Sequence, residues 1–92
     1  MSLDFSDAFA AVVKRHREEM KFSKEEFARR AGLHQTYIGL LERGARNPTI
    51  DTAHALAKAL DVPLSELIVE AEQLAGHEAK RKPARSPRSI KA

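Results

Sequence analysis

The stretch SKEEFARRAGLHQTYIGLLERG, residues 23–44, decides the fold because it contains the signals for two short helices and a tight turn. Ser23 and Glu26 have the spacing of a capping box, in which each side chain satisfies a free backbone N–H group of the other residue. They predict that a helix begins at residue 24. Gly32 predicts its end, because glycine readily takes the left-handed conformation that follows many helices.

The first helix of this stretch is therefore predicted over residues 24–31, and a second over residues 35–43. So few residues separate them that they cannot lie antiparallel as a hairpin. Ala28 is small enough to permit a close crossing, while Ile38 and Leu41 anchor the second helix from beneath. This spacing favours a helix-turn-helix, whose second helix enters the major groove of DNA, over an ordinary helical corner.

Three further helices are predicted outside this stretch, so we expect an all-α fold with five helices. The first begins near Asp4 or Ser6 and ends near Lys21, the fourth begins after the N-cap Thr49 and ends at Asp61, and the fifth runs from Pro63 to Gly76. Residues at three- and four-residue steps are expected to face inward in the first and fourth of these helices, and the fifth has an apolar stripe at the same spacing. The inward residues are Phe5, Phe9, Val12, Val13, His16 and Met20, then Ile50, Ala53, Leu56, Ala57 and Leu60, and the stripe of the fifth helix consists of Leu64, Leu67, Ile68, Ala71 and Leu74.

The charge of the chain is distributed unevenly along its 92 residues. Residues 77–92 contain six Lys or Arg and one Glu, whereas residues 1–76 contain ten basic and twelve acidic residues. We predict a helix-turn-helix DNA-binding domain over residues 4–76 and a basic, disordered tail over residues 77–92. The tail either adds nonspecific phosphate contacts or is a solvated extension without effect. DNA binding by the domain must therefore depend on where its basic groups lie.

Several function classes are excluded by composition. The chain contains no cysteine, no apolar run close to the roughly 20 residues that span a bilayer, and no signal peptide, so we expect a cytoplasmic protein without membrane contact. Its four histidines lie in different segments, with no pair at the i, i+4 spacing of metal ligands. We expect no enzyme, no catalytic residue, no metal, no cofactor and no small-molecule ligand.

Residues 22–68 resemble the lambda-repressor-like helix-turn-helix family, also called the XRE or Cro/cI type. The resemblance is carried by EEFARRAGL, TYIGLLERGARNPTIDT and LAKALDVPLSEL. It implies a sequence-specific transcriptional regulator that binds double-stranded DNA. The implied binding site is a palindromic operator, contacted by a homodimer with helix 35–43 of each subunit in the major groove. With no room for a second domain, this favours a restriction–modification controller or a phage-type repressor. The alternatives are an antitoxin-type autoregulator that binds a toxin partner, and a protein-interaction module without DNA binding.

The outer arc of the third helix contains no acid. At about 100° per residue, it collects Gln35, Thr36, Gly39, Leu40 and Arg43 within about 140°. A carboxylate in this arc would be repelled by DNA phosphates, so its absence supports a DNA-facing surface.

The resemblance implies that the early residues of this helix contact bases. Gln35 is suited to adenine and Thr36 to either kind of base. Gly39 removes a side chain where the helix backbone approaches the groove. Leu40 either contacts a thymine methyl group or packs, at a dimer contact or against the loop that follows the helix.

Phosphate contacts are expected on both sides of the third helix, and the candidates are Ser23, Lys24, Tyr37, Arg43, Arg46 and Asn47. The family commonly has a glutamine at the position of Lys24, and lysine keeps the anion contact as a point charge. His34 occupies the position where a serine or threonine would usually cap the third helix. It either accepts a backbone amide there or contacts phosphate.

The resemblance also implies an ion pair and a dimer surface. Arg17 and Glu42 are expected to form a partly buried structural ion pair between the first and third helices. The expected dimer interface consists of Leu67, Ile68, Ala71 and Leu74. The alternative for Leu67 and Ile68 is that they only close the core of the monomer.

Overall fold

Five α-helices make up the computed structural model, which describes residues 4–79. They are α1 Phe5–Glu19, α2 Lys24–Ala31, α3 Gln35–Glu42, α4 Ile50–Leu60 and α5 Leu64–Ala79. The described residues contain no strand, which confirms the predicted all-α, five-helix fold. Within the same residues, no helix has both the length and the apolar character needed to cross a membrane.

Side-chain caps define where α1, α2 and α4 begin. The Asp4 carboxylate accepts a hydrogen bond from the amide of residue 7 at 3.0 Å, and Ser23 Oγ accepts one from the amide of residue 26 at 3.0 Å. Thr49 Oγ1 does the same for residue 52 at 3.1 Å. Ser23 and Thr49 therefore act as the predicted caps. The second half of the predicted capping box is not formed, because the Glu26 carboxylate pairs with two arginines of its own helix instead.

The core lies where α1 and α5 pack together and close over α3 and α4, while α2 packs against α3 and α4. Its largest fully buried side chains are Phe27, Ile38, Leu41, Leu56, Leu67, Val12 and Val13. Complete burial of one such side chain stabilises the fold by about 1.5–3 kcal/mol. Burial of this cluster therefore holds the five helices in their relative orientation.

Three helix ends differ from the prediction. α1 ends at Glu19, because Lys21 has a left-handed backbone with φ of 63°. α3 ends at Glu42, one residue early. α5 continues past Gly76 to Ala79, since one glycine inside a helix costs only about 1 kcal/mol. The rest of the predicted tail, residues 80–92, lies outside the described residues.

Three residues that were expected to face inward are exposed: Phe5, Met20 and Ile50. Phe5 and Ile50 are the first residues of their helices, and Met20 is the C-terminal cap of α1. At such positions, at the end of a helix, no neighbouring helix covers the apolar side chain. Ile50 is the extreme case, with 75% of its surface exposed.

Candidate nucleic-acid interface

The position of α3 is fixed from beneath by two residues with no exposed surface, Ile38 and Leu41. They pack in the same buried cluster as Phe27 and Ala28 of α2. The turn between the two helices contains Gly32, whose φ of 74° requires a residue that tolerates the left-handed region. The predicted helix-turn-helix is therefore present, and it leaves one long face of α3 uncovered.

Of the four residues that we predicted to contact bases, three have exposed surface, and Gly39 is buried. Gln35 and Thr36 are exposed, and Leu40 is half-buried without belonging to the core cluster. The first turn of α3 contains no acidic residue. The structure thus brings these side chains together on a surface without a carboxylate in that turn.

Gly39 is buried, with the side chain of Arg43 as the neighbour of its missing Cβ. A Cβ atom added at Gly39 would meet only the Arg43 guanidinium, at 3.6 Å, which is an ordinary contact distance. Packing inside the protein therefore does not require a glycine here. The missing side chain matters only for what approaches α3 from outside.

The N-terminus of α3 has no side-chain cap. His34 has the extended backbone of an N-cap residue, with φ of −83° and ψ of 144°, but its side chain makes no capping hydrogen bond. The first of the two alternatives for His34 is therefore wrong in this structure. The uncapped end leaves backbone N–H groups available and carries the partial positive charge of the helix dipole, which favours an anion.

Basic side chains without carboxylate partners lie on both sides of α3. Among the described residues, Lys24, Arg43 and Arg46 take part in no ion pair, although Arg29 and Arg30 both pair with Glu26. Those pairs hold the pKa of the Glu26 carboxyl below its usual range, mainly through the hydrogen bond from Arg29. The three basic residues predicted to contact phosphate are therefore all unpaired, as are Lys14, Lys21 and Lys58 elsewhere in the described residues.

Three other predicted phosphate contacts have distinct surroundings. Tyr37 is half-buried against the core, and this burial raises the pKa of its phenol. The phenol therefore stays protonated at neutral pH and is a hydrogen-bond donor. The Arg46 guanidinium lies 5.8 Å from the centre of the Tyr37 ring, within cation–π distance. Ser23 and Asn47 are exposed, although Ser23 Oγ also serves as the cap of α2.

A buried ion pair ties the far end of α3 to α1. Arg17 Nε lies 2.6 Å from Glu42 Oε2 and Arg17 Nη2 lies 3.0 Å from Glu42 Oε1, so the contact is bidentate. Arg17 Nη1 also donates to the carbonyl oxygen of Phe22 at 2.7 Å, just before α2. The hydrogen bond to Glu42 raises the pKa of Arg17. One guanidinium therefore joins α1, the start of α2 and the end of α3.

A second polar cluster joins α1 to α5. His16 Nε2 lies 2.9 Å from Glu70 Oε1, and the Arg15 guanidinium pairs with the same carboxylate. Glu66 completes a group whose possible ligand atoms all lie within 4.8 Å of one another. The Glu70 carboxylate of α5 therefore contacts both Arg15 and His16 of α1.

The predicted dimer interface on α5 needs correction. Leu67 and Ala71 have no exposed surface and belong to the core of the protomer, so they have no contact to offer a partner. Of the other two residues, Ile68 is half-buried and Leu74 is exposed. The apolar stripe of α5 is wide enough both to pack in the protomer core and to contact a second subunit. The spacing of its residues alone does not tell which residue has which role.

Sequence reasoning missed an apolar groove beside the loop that follows α3. Five apolar residues of the helices line it, namely Phe5, Phe9, Ile50, Ala53 and Ile68, together with Ser6 of α1 and residues 47–49 of the loop. The position of Ile50 directly after the cap Thr49 was a usable signal, since the first residue of a helix often lies outside the buried stripe.

Comparison with known proteins identifies the family. The helix-turn-helix family model matches residues 13–67. The control protein C.SmaI of Serratia marcescens is 39% identical over 66 residues, covering 72% of this chain and 79% of that protein. An HTH-type transcriptional regulator of Sinorhizobium fredii is 42% identical over 71 residues, covering 77% of this chain and 92% of its own length.

A solved structure gives the same result. The restriction-modification controller protein C.AhdI of Aeromonas hydrophila superposes with a TM-score of 0.64 at 34% identity, covering 66% of this chain and 92% of that chain. These relatives are named as transcriptional regulators and controllers, in agreement with the exposed, acid-free face of α3. The chain belongs to the lambda-repressor-like helix-turn-helix family and is a DNA-binding transcriptional regulator.

Proposed function

We propose that this protein binds a specific double-stranded DNA sequence as a homodimer, with α3 of each subunit in the major groove. The observation that carries the proposal is the exposed face of α3. It presents Gln35 and Thr36 at an uncapped helix N-terminus, without an acid in the first turn. The unpaired cations Lys24, Arg43 and Arg46 precede and follow α3 along the chain.

The residues on this face divide into two functional groups. Gln35 and Thr36 are the proposed base contacts, with Gly39 allowing close approach and Leu40 contacting a thymine methyl group. The proposed phosphate contacts are Ser23, Lys24, Tyr37, Arg43, Arg46 and Asn47. Contacts of the second group fix the orientation of the protein on the duplex and carry no sequence information directly.

A homodimer fits this arrangement because eight residues of α3 span only a few base pairs. Two such helices, held about one turn of DNA or roughly 34 Å apart, would contact both halves of a palindromic operator. Two of the relatives favour a more specific role, since one is a control protein and the other a restriction-modification controller protein. We propose that this protein is likewise a concentration-dependent controller of the kind that accompanies restriction–modification systems.

The proposal is tested by selecting bound duplexes from a random-sequence library and then measuring affinity for the selected duplex by fluorescence anisotropy. Arg46→Ala should reduce the slope of log K against log salt by about 0.9, the loss of one phosphate contact. Arg29→Ala is the matched control, because Arg29 is exposed but already paired with Glu26. A selection that enriches no sequence, with no binding at low salt, would refute the proposal.

A further inference from the structure

A group of metal-ligating side chains lies between α1 and α5, and the proposed function does not use it. It consists of His16 of α1 and of Glu66 and Glu70 of α5, and we call these three residues the α1–α5 cluster. Their possible ligand atoms, one imidazole nitrogen and two carboxylate oxygens, all lie within 4.8 Å of one another. Glu66 and Glu70 are one helical turn apart and therefore share one side of α5. The packing of α1 against α5 brings His16 to the same place.

Burial distinguishes this cluster from a group of exposed acids. The His16 side chain is only 13% exposed and that of Glu70 is 25% exposed, whereas Glu66 is exposed at the solvent edge. His16 Nε2 lies 2.9 Å from Glu70 Oε1, so the imidazole nitrogen is already directed at a carboxylate oxygen. The cluster thus has two largely buried donors that face each other and a third that solvent reaches.

The donor atoms and their spacing suit a divalent transition metal. Zn²⁺ binds histidine nitrogen and carboxylate oxygen at about 2.0–2.2 Å, so donor atoms around a tetrahedral ion are roughly 3.4 Å apart. Moderate rotation of side chains, mainly of the exposed Glu66, is enough to bring the three atoms to that spacing. The imidazole favours Zn²⁺ and its neighbours over Mg²⁺ and Ca²⁺, which prefer oxygen ligands.

Arg15 is the competing partner of Glu70. Its guanidinium pairs with Glu70 Oε1, the same oxygen that faces His16. The Arg15 side chain is 53% exposed, so water screens this pair and it holds Glu70 only weakly. Arg15 Nε also lies 3.8 Å from Glu19 Oε2 on its own helix. Arg15 therefore keeps an acidic partner when a metal ion replaces it at Glu70.

We propose that the α1–α5 cluster binds one Zn²⁺ ion, with His16, Glu66 and Glu70 as ligands and water in the remaining position. The ion connects α1 to α5, the two helices that close over the core. His16 directly precedes Arg17, which holds α3 through Glu42, so the ion stabilises the helix on which the support of α3 depends. Sequence spacing could not predict this site, because 54 residues separate His16 from Glu70. The inference does not depend on the proposed DNA binding.

The test is isothermal titration calorimetry of the untagged, chelator-treated full chain with ZnCl₂. We expect one Zn²⁺ ion per chain. At a free Zn²⁺ concentration about 100 times Kd, the unfolding temperature should rise by roughly 10–20 °C, because the ion binds the folded chain in preference to the unfolded one. His16→Gln should weaken binding at least about 100-fold, since loss of a ligand costs no less than loss of a ligand's own hydrogen-bond partner. His54→Gln is the matched control, an exposed histidine of α4 outside the cluster, and should leave the affinity unchanged.

Two further variants keep the test decisive where His16→Gln does not fold. Glu66 is exposed and takes part in no ion pair among the described residues, so Glu66→Gln should fold normally and weaken binding about tenfold. Glu72→Gln, at another exposed carboxylate of α5, is its control. Arg15→Ala removes the competitor for Glu70 and should tighten binding by up to about fivefold.

The outcomes separate a built site from adventitious binding. Weaker binding in His16→Gln and Glu66→Gln, with unchanged binding in His54→Gln and Glu72→Gln, would support the site. Equal binding by the wild type and both ligand variants would overturn it, because the ion would then be held by other side chains. A wild type that binds no Zn²⁺ at about 1 mM would also overturn it, leaving the cluster as ion pairs alone. DNA selection by the wild type is a separate measurement, so either proposal can fail without the other.

Discussion

The two helices of the helix-turn-helix have the same length of eight residues but opposite local chemistry. α2 begins with a serine cap, has acids in its first turn and arginines in its last, and ends at a left-handed glycine. α3 has no side-chain cap, no acid in its first turn and no base in its last, and it contains a glycine in its middle. The side-chain cap and the terminal charges that stabilise a helix are therefore present in α2 and missing from α3, although a left-handed glycine, Gly44, follows α3 as Gly32 follows α2.

The difference indicates what each helix is for. α2 is a supporting element whose own sequence stabilises it. α3 is held in place by tertiary contacts, namely the buried Ile38 and Leu41 and the pair between Arg17 and Glu42. This leaves its outer surface free to carry residues chosen for a ligand. α3 lacks a side-chain cap, stabilising terminal charges and, at its central glycine, a good helix former. We therefore expect α3 rather than α2 to bind the ligand.

The largest expected effect concerns the tertiary support of α3. Arg17→Ala should lower the free energy of unfolding by about 3–5 kcal/mol, because it leaves the buried Glu42 carboxylate and the Phe22 carbonyl without their partner. Urea unfolding monitored by circular dichroism measures this. If Arg17→Ala does not fold, Arg17→Lys, which keeps the charge but not the bidentate contact, should give a smaller loss.

Arg15→Ala is the control for this prediction. Arg15 also pairs with a glutamate, but its side chain is 53% exposed, so its removal should cost less than about 1 kcal/mol. An Arg17→Ala protein that unfolds at the same urea concentration as Arg15→Ala would refute the account of how α3 is held. Where Arg17→Ala folds, it should select the same DNA sequence as the wild type.

The next effect separates stability from binding at Gly39. Gly39→Ala should raise the free energy of unfolding by about 1 kcal/mol, because alanine is the better helix former and its Cβ meets only Arg43, at 3.6 Å. Binding to the selected DNA should nevertheless weaken about tenfold, as expected when one base contact is displaced. Anisotropy and thermal unfolding on the same preparations provide both values.

Gly76→Ala is the matched control, since Gly76 is also a helical glycine whose added Cβ would meet nothing within 4 Å. It should give a similar gain in stability and no change in DNA affinity. Unchanged affinity in Gly39→Ala as well would mean that the DNA does not approach α3 as closely as proposed.

The smallest effect exchanges the caps of the two helices. Ser23→Ala should destabilise the protein by about 1 kcal/mol, because the amide of residue 26 loses its partner. His34→Ser should stabilise it by about 0.5–1 kcal/mol, because the backbone at residue 34 already has cap geometry without a side-chain bond. A loss of stability in Ser23→Ala together with a gain in His34→Ser would support the contrast between α2 and α3. Destabilisation by His34→Ser would show that His34 has a structural role.

Local signals explain why most of the fold was predictable from the sequence. Ser23, Thr49 and Gly32 act within a few residues of where they lie, so the starts of α2 and α4 and the end of α2 followed directly. The exposed face of α3 was predictable for the same reason, because a regular helix with two buried anchors has only one remaining face.

Tertiary extent explains what was not predictable. Apolar spacing places Ile50 and Phe5 on the inward stripes of their helices, but it does not tell where the covering helix stops. The same limit applies to α5, where Leu67 and Ala71 are buried in the protomer although a stripe of that width also suits a dimer. Glu26 pairs with Arg29 and Arg30 and not with the backbone amide of its cap residue, Ser23. Sequence spacing permits either partner and does not tell which of them the carboxylate binds.

Repeating the library selection with Gln35→Ala tests whether the exposed face of α3 determines which DNA sequence is bound. We expect the wild type to enrich a two-fold symmetric sequence and Gln35→Ala to lose preference at one position in each half-site. Discrimination there should fall by about 1–3 kcal/mol, with the remaining positions unchanged. An identical enriched sequence for the wild type and Gln35→Ala would contradict this role of α3.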